Sequence, residues 1–366
     1  MSLSIAFRAD ASTEIGTGHV MRCLTLADAL RSGGADTLFI SRDLPGHLQD
    51  LVLARGHRTV LLPPPSSNIA APSPPPPHAA WLKVPVAQDS DETAAVLAEH
   101  GAGWLVVDHY AIDARWQTPL RRRQPGLRLL VIDDLADRPH DCELLLDTSQ
   151  PDGAERYQPL LPATCQALLG PRFALLRPQF VAARAQVRPR DGQLRRILVF
   201  YGGSDPDNLT AQTLDAIAQV VPTVAVDVVL GRNTSPAQRR QIEQACAQLA
   251  QVTRHIDVDD MAALMARADL AFGAAGVTTW ERACLGLPTL TITVALNQRG
   301  VAAAAAQRGI LSWLGDAHEV TVSVLSQALR AAWQKPQMLA EQSRRALEWV
   351  DGGGAGRVCQ AMVGSR

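Results

Sequence analysis

Two successive runs of short apolar stretches alternating with amphipathic ones constrain this chain more than any other feature. In the first run, SLSIAF, DTLFI, HRTVLL, GWLVVD, LRLLVID and CELLLD read as short strands. Helical runs such as His19–Arg31 and Asp91–Glu99 separate several of them. The pattern restarts at RRILVFYGGSDPDNLTAQTLDAIAQV. It continues through AVDVVL, SPAQRRQIEQACAQLA, ADLAFGA, TTWERACLGL and PTLTITV. Strands alternating with helices predict a doubly wound α/β sheet, and the repetition predicts two. A chain of 366 residues holds two domains of roughly 100–200 residues each. The charged stretch AARAQVRPRDG, Ala182–Gly192, has no apolar period and marks the expected boundary. The expected division is a first Rossmann-like domain over 1–185, a second over 190–335, and a tail over 336–366.

One proline-rich segment breaks the pattern, and a glycine-rich one lies between helix-like segments near the C-terminus. Repeated prolines exclude helix and central strand from PPPSSNIAAPSPPPP, Pro63–Pro77, which reads as an exposed loop inserted in the first domain. DGGGAGRV, Asp351–Val358, reads as a flexible turn before a last short helix.

Open α/β sheets bind ligands outside the carboxyl ends of their strands, and domain interfaces are favoured pocket positions. The expected site is therefore a cleft faced by the strand-end loops of both domains. The first such loop closes on Gly16-Thr17-Gly18-His19 and enters a helix. It is not the dinucleotide pattern, because Val20 and Met21 follow where a further glycine is needed, and it lacks the GK[ST] of a P-loop. Anions settle at such helix starts, but phosphate alone does not call for a histidine. The other strand-end candidates are Asp108-His109-Tyr110, Gly202-Gly203-Ser204-Asp205 with Asn208, GAAGVTTWERACLGLP over Gly273–Pro288, and Asn297-Gln298. In the fourth, small residues admit a ligand to the backbone, and the helix starting near Val277 has free N–H groups. Glu281 sits in or just past its first turn, either as a cap or as an acceptor for a sugar hydroxyl.

Net charge bears on partners. A formal charge of -1 gives no general attraction to nucleic acid or acidic membranes. Arg121-Arg122-Arg123 reads as a solvated helix face. The cysteines Cys23, Cys142, Cys165, Cys246, Cys284 and Cys359 form no CxxC pair, and neither Asp108-His109, Asp133-Asp134 nor Asp259-Asp260 has metal-ligand spacing. No uncharged apolar run is long enough to span a bilayer, and the chain enters its first strand without a basic-then-apolar segment. The expectation is a reduced, cytoplasmic monomer with no metal and no cofactor.

These motifs resemble a family. FRADASTEIGTGHVMRCLTLA, VVDHYAID, IDDLADRPHDCELLLD, YGGSDPDN, RHIDVDDMAALMARADLAFGAAGVTTWERACLGLPTL and ALNQ occur in the order found in the UDP-sugar hydrolases of pseudaminic acid biosynthesis. Those enzymes act on UDP-2,4-diacetamido-2,4,6-trideoxy-β-L-altropyranose. The resemblance covers most of Ile5 to Gly309, apart from the proline-rich insert, and leaves out the tail. The chain is also similar to the murein-pathway N-acetylglucosaminyltransferase. Both resemblances imply the GT-B architecture of two Rossmann-like domains, with the tail packing back on the first. They imply His19 as catalytic base and Tyr110 in the sugar pocket. Asp10, close to the histidine in the family pattern, and the loop residues Gly16, Thr17 and Gly18 fall among the implied substrate-binding positions. So do Asn208, Glu281, Asn297 and Gln298. Ile256 is implied to read uracil by its backbone, and Gly276, Val277 and Thr278 to hold the pyrophosphate.

The implied reaction is inverting water attack at the anomeric carbon. UDP is already a weakly basic leaving group, so it needs charge stabilisation by backbone N–H groups more than protonation. One general base then remains, and a neutral histidine suits it. Three alternatives stand beside it: a glycosyltransferase on the same scaffold, a sugar epimerase, for which no carboxylate pair is evident, and a non-catalytic nucleotide-sugar sensor in which His19 is a packing residue.

Overall fold

The computed structural model describes residues 3–66, 78–150, 153–203, 205–231, 234–256 and 258–364. The chain divides into two compact units, Met1–Leu175 with Gly353–Arg366, and Leu176–Gly352.

The first unit is built on seven parallel strands. They are β1 (Ser4–Ala9), β2 (Asp36–Arg42), β3 (Arg58–Leu62), β4 (Trp104–Asp108), β5 (Arg128–Ile132), β6 (Leu144–Asp147) and β7 (Gln166–Leu169). Their order across the sheet is β3-β2-β1-β4-β5-β6-β7. The strands are apolar on both faces because helices cover both. Each residue of β4, for instance, is buried. One core layer joins Ile5, Phe7, Trp104 and Val106 to Val20, Leu24 and Ala27 of the helix Gly18–Ser32. The opposite layer joins Ala6, Leu105, Val107 and Val131 to Trp116 and Leu120. The chain turns to one side of β1 for β2 and to the other for β4, so the strand order reverses between them. The register sets Ala9 opposite Asp108 at that point.

The second unit repeats the plan with six parallel strands. They are β8 (Arg196–Phe200), β9 (Ala225–Leu230), β10 (Gln251–Ile256), β11 (Leu270–Ala274), β12 (Thr289–Thr293) and β13 (Ser312–Asp316), in the order β10-β9-β8-β11-β12-β13. Here the reversal lies between β8 and β11. Its core runs from Ile197, Val226 and Phe272 to Leu214, Ile217, Leu325 and Leu339.

The structure places the division at Leu175/Leu176, ahead of the stretch Ala182–Gly192. The charges in that stretch are not those of a solvated linker. Arg184 donates to the carbonyls of Cys284 and Leu347 at 2.5 and 2.6 Å. Arg190 donates to those of Met265, Ala266 and Ala268, and also to Leu285. Several of these are carbonyls that helix ends leave unpaired. The tail divides as well. The helix Pro336–Trp349 lies in the second unit, whereas Gly354–Gly364 lies in the first. There Val358 and Met362 join the core layer of the Gly18–Ser32 helix. In the sequence DGGGAGRV, Gly354 opens this helix at a place where a Cβ would meet the Ala174 carbonyl oxygen at 2.2 Å. Of the proline-rich stretch, Pro63–Ser66 follow β3, and Arg42 donates to the Pro63 carbonyl at 2.8 Å. Residues 67–77 lie outside the described residues.

Candidate active site

At the carboxyl edge of the first sheet, the loop after β1 is folded by its own side chains. Ser12 Oγ accepts from the N–H groups of Glu14 and Ile15, and Gly16 N–H donates to the Ser12 carbonyl at 2.8 Å. Gly16 takes φ +79°, a left-handed conformation that suits glycine. No atom lies within 4 Å of a Cβ built on Gly16 or Gly18. Gly16, Thr17 and Gly18 are exposed, and Thr17 makes no side-chain cap. The loop therefore offers open backbone directly before His19.

His19 is buried to 8% exposure. Its Nδ1 lies 2.6 Å from Asp108 Oδ1, at the carboxyl end of β4. Arg22, one turn along the helix from His19, grips the same carboxylate, Nε to Oδ2 at 2.5 Å and Nη2 to Oδ1 at 2.6 Å. Burial alone raises the Asp108 pKa, but the charges and hydrogen bonds of Arg22 and His19 more than offset it. The group therefore sits well below the ordinary carboxylate range. An ionised Asp108 only accepts, so it holds the proton on Nδ1 and leaves the Nε2 lone pair available. Nε2 makes no hydrogen bond to any described residue.

Tyr110, expected in the sugar pocket, is instead almost covered at 6% exposure. Its hydroxyl donates to Asp134 Oδ1 at 2.5 Å, and Arg22 Nη1 reaches Asp134 Oδ2 at 3.2 Å. Its ring stands edge-on to the His19 ring at 4.7 Å. Asp10, expected to meet substrate, is wholly buried. Both of its oxygens bind Arg8, at 2.6 and 2.9 Å. One also accepts from Arg42 N–H at 2.7 Å, and His109 Nε2 lies 3.3 Å from the other. This carboxylate has no face left for a ligand and serves the ion-pair network beneath the loop.

The second unit supplies its own set. The helix Val277–Cys284 begins at Gly276, which has no side chain to cap it. Among the described residues the N–H groups of Val277 and Thr278 thus have neither intrahelical nor side-chain acceptors, and Val277 is exposed. By contrast, Asp205 caps the helix Leu209–Val220, accepting from Leu209 and Thr210 N–H at 2.9 and 2.8 Å. Between these two helix starts, only the first is open to an anion. Glu281 is buried and accepts from Arg177 through one oxygen, Nε at 3.3 Å and Nη2 at 3.1 Å. Burial raises its pKa against the opposing Arg177. It lies too far along its helix to cap it, which removes that reading. Gln298 is folded onto the Val294 N–H at 3.1 Å, with its amide nitrogen beside Gly276. Asn297 is exposed, as is Ile256 at the end of edge strand β10. Asn208 is not brought to these groups. It takes φ +50° and donates from its amide to Gln241 at 2.6 Å. Among the described residues, no group of three or more His, Cys, Asp or Glu is placed to hold a metal, and no helix is long and apolar enough to cross a membrane.

With this geometry established, known proteins give a frame for it. No family model matches the chain. Over 84% of its length, and 97% of the relative's, the chain is 24% identical to the UDP-2,4-diacetamido-2,4,6-trideoxy-beta-L-altropyranose hydrolase of Campylobacter jejuni. The chain resembles that hydrolase. Among solved structures, MurG of Acinetobacter baumannii matches all of both chains with a TM-score of 0.67 at 16% identity. LpCGTa in complex with UDP matches all of this chain and 99% of its own with a TM-score of 0.70 at 14% identity. Similarity at that level establishes the fold, two parallel-sheet α/β domains of the GT-B kind.

Sequence reasoning missed Arg22 and Arg177, and considered Asp134 only as a metal ligand, which it set aside. Arg22 carried a signal, since it lies three residues beyond His19 and shares its helix face. Asp108 stood out as a strand-end residue, but its pairing with His19 spans 89 residues and was not readable from spacing.

Proposed function

We propose that the chain is a hydrolase acting on a UDP-2,4-diacetamido-2,4,6-trideoxyhexose in pseudaminic acid biosynthesis. Water attacks the anomeric carbon, the bond from that carbon to the diphosphate oxygen breaks, UDP leaves with the electron pair, and the configuration inverts. His19 Nε2 takes the proton of the attacking water. The observation that carries this reading is the His19–Asp108 bond at 2.6 Å, which fixes the tautomer and leaves Nε2 unbonded. A base oriented by a buried carboxylate is the arrangement general-base catalysis requires. The same base could deprotonate an acceptor hydroxyl, so the dyad supports displacement by an O–H nucleophile, and the choice of water rests on the likeness to the hydrolase.

On this reading, the Val277 and Thr278 N–H groups receive the charge that develops on the leaving diphosphate. Glu281, Asn297, Gln298 and the Ile256 backbone hold the rest of UDP. The reaction is assigned to a cytoplasmic monomer working on a small molecule, without nucleic acid, membrane or added cofactor. The C. jejuni relative supports the substrate class. A glycosyltransferase reading draws on the same base and on the fold shared with proteins such as MurG, and fold does not fix function.

The deciding experiment incubates purified protein with the UDP-sugar and no acceptor, following UDP release and the anomer first formed by NMR. Release of UDP with an inverted sugar hemiacetal supports the hydrolase. UDP release that depends on an added acceptor would assign the transferase.

A further inference from the structure

Tyr110 leaves a gap in the picture. Asp134 takes its hydroxyl, and His19 meets its ring edge. The Trp81 ring lies over its face at 5.7 Å and an interplanar angle of 24°. His78 covers more of the same ring at 5.2 Å. Trp81 and His78 pack on each other at 4.5 Å and are themselves partly exposed. The Trp81 ring centroid is 6.3 Å from that of His19. Thus the aromatic surface next to the catalytic imidazole belongs to Trp81 and His78, with Tyr110 as the layer beneath.

Neither residue is spoken for. The Trp81 indole N–H and both His78 ring nitrogens make no hydrogen bond to any described residue. Indole and imidazole in such a position usually find a polar partner. Here they present flat faces with a donor at the rim, Trp81 in a short helical turn, Ala79–Leu82, anchored by buried Leu82, and His78 directly before it.

We propose that Trp81 and His78 form the sugar-contacting wall of the His19 site, their ring faces receiving methyl groups and the indole N–H donating to an acetamido carbonyl. This rests on the hydrolase reading above and names which part of the substrate that site selects. A diacetamido-trideoxyhexose has a methyl at C6 and two acetamido groups, each with a methyl and a carbonyl acceptor. Against this wall it loses little solvation. A hexose with a C6 hydroxyl would press a polar group onto an aromatic face and give up a water hydrogen bond.

The test measures steady-state kinetics of wild type, Trp81→Ala and Trp81→Phe on the UDP-diacetamido-trideoxyhexose and on UDP-N-acetylglucosamine, with melting temperature as the folding control and UDP affinity measured beside it. Contacts of this kind discriminate about 10–200-fold. Trp81→Ala should raise KM for the trideoxy substrate about tenfold or more, lower its preference over UDP-N-acetylglucosamine by a similar factor, and leave UDP affinity within twofold. Trp81→Phe keeps the ring and loses the donor, so it should fall between. An unchanged KM, or an equal loss on both substrates, would overturn the proposal and make Trp81 a support for Tyr110. If Trp81→Ala fails to fold, Trp81→Phe decides, and wild-type kinetics from it would overturn the proposal. Absence of turnover by wild type on either substrate would instead contradict the hydrolase reading, and this inference with it.

Discussion

The bond between His19 and Asp108 sets what single residues do. Asp108 is held ionised by Arg22 and in turn holds the histidine proton on Nδ1. Asp108→Asn removes that charge and lets the side chain present a donor where an acceptor is needed. We expect kcat to fall about 10²–10⁴-fold, the contribution of an oriented general base, with UDP affinity unchanged. Equal kcat in the variant would show that Asp108 only packs. Glu281 belongs to nucleotide binding. Glu281→Ala should weaken UDP by about 1–3 kcal/mol in calorimetry, the scale of a lost charge-assisted hydrogen bond. Unchanged affinity would leave Glu281 as a partner for Arg177 alone. At this scale the sequence disclosed the groups on strand-end loops, because the loop chemistry GTGH is local. It did not disclose that Asp10 is wholly enclosed or that Tyr110 is covered. Burial is decided by Arg8, two residues before Asp10, and by Arg42, Trp81 and His78, which arrive from other parts of the chain.

Elements differ in what their glycines are for. Gly18 stands in open space at the start of the His19 helix, so Gly18→Ala should leave the melting temperature within a degree or two. It should lower kcat/KM, because a methyl group there obstructs the approach to His19. Gly354 has the opposite character, since a Cβ there would overlap the Ala174 carbonyl. Gly354→Ala should lower the melting temperature by several degrees, at about 2–4 °C per kcal/mol for a domain of this size, and leave the kcat of the folded enzyme unchanged. Thermal melts and kinetics on both variants check the contrast. Most strands and the repeat were legible because apolar runs and turns recur with the period of a doubly wound fold; β7, β10 and β13 were not, because each lies at a sheet edge and is largely unburied. The last short helix was legible, but its start at Gly354 was not, because glycine near a helix start signals flexibility in sequence but close approach in structure. The charges of Ala182–Gly192 suggested a domain boundary, whereas Arg184 and Arg190 bind carbonyls within the second unit.

Across the whole molecule, the buried acids set the response to pH. Asp147, at the carboxyl end of β6, accepts from Ser149 N–H and from the Tyr157 hydroxyl. Burial pushes its pKa up to about 6, against about 3.9 for an unfolded aspartate. The folded state therefore binds this proton more tightly. Stability from the group is full below pH ~4 and is lost as pH rises through ~6. Asp147→Asn should melt higher than wild type at pH 7–8 and show no advantage near pH 4. An advantage independent of pH would contradict this assignment. Asp108 and Asp133 act in the other direction, because their charged partners hold them low. Their stabilisation is present at neutral pH and is lost as acid protonates them. The account as a whole turns on His19. Its most direct test is kcat for His19→Asn with the UDP-diacetamido-trideoxyhexose, measured on the preparation used for melting temperature and UDP affinity. The account predicts a stable variant that binds UDP normally and has kcat reduced about 10²–10⁴-fold; a stable variant with near-normal kcat would contradict it.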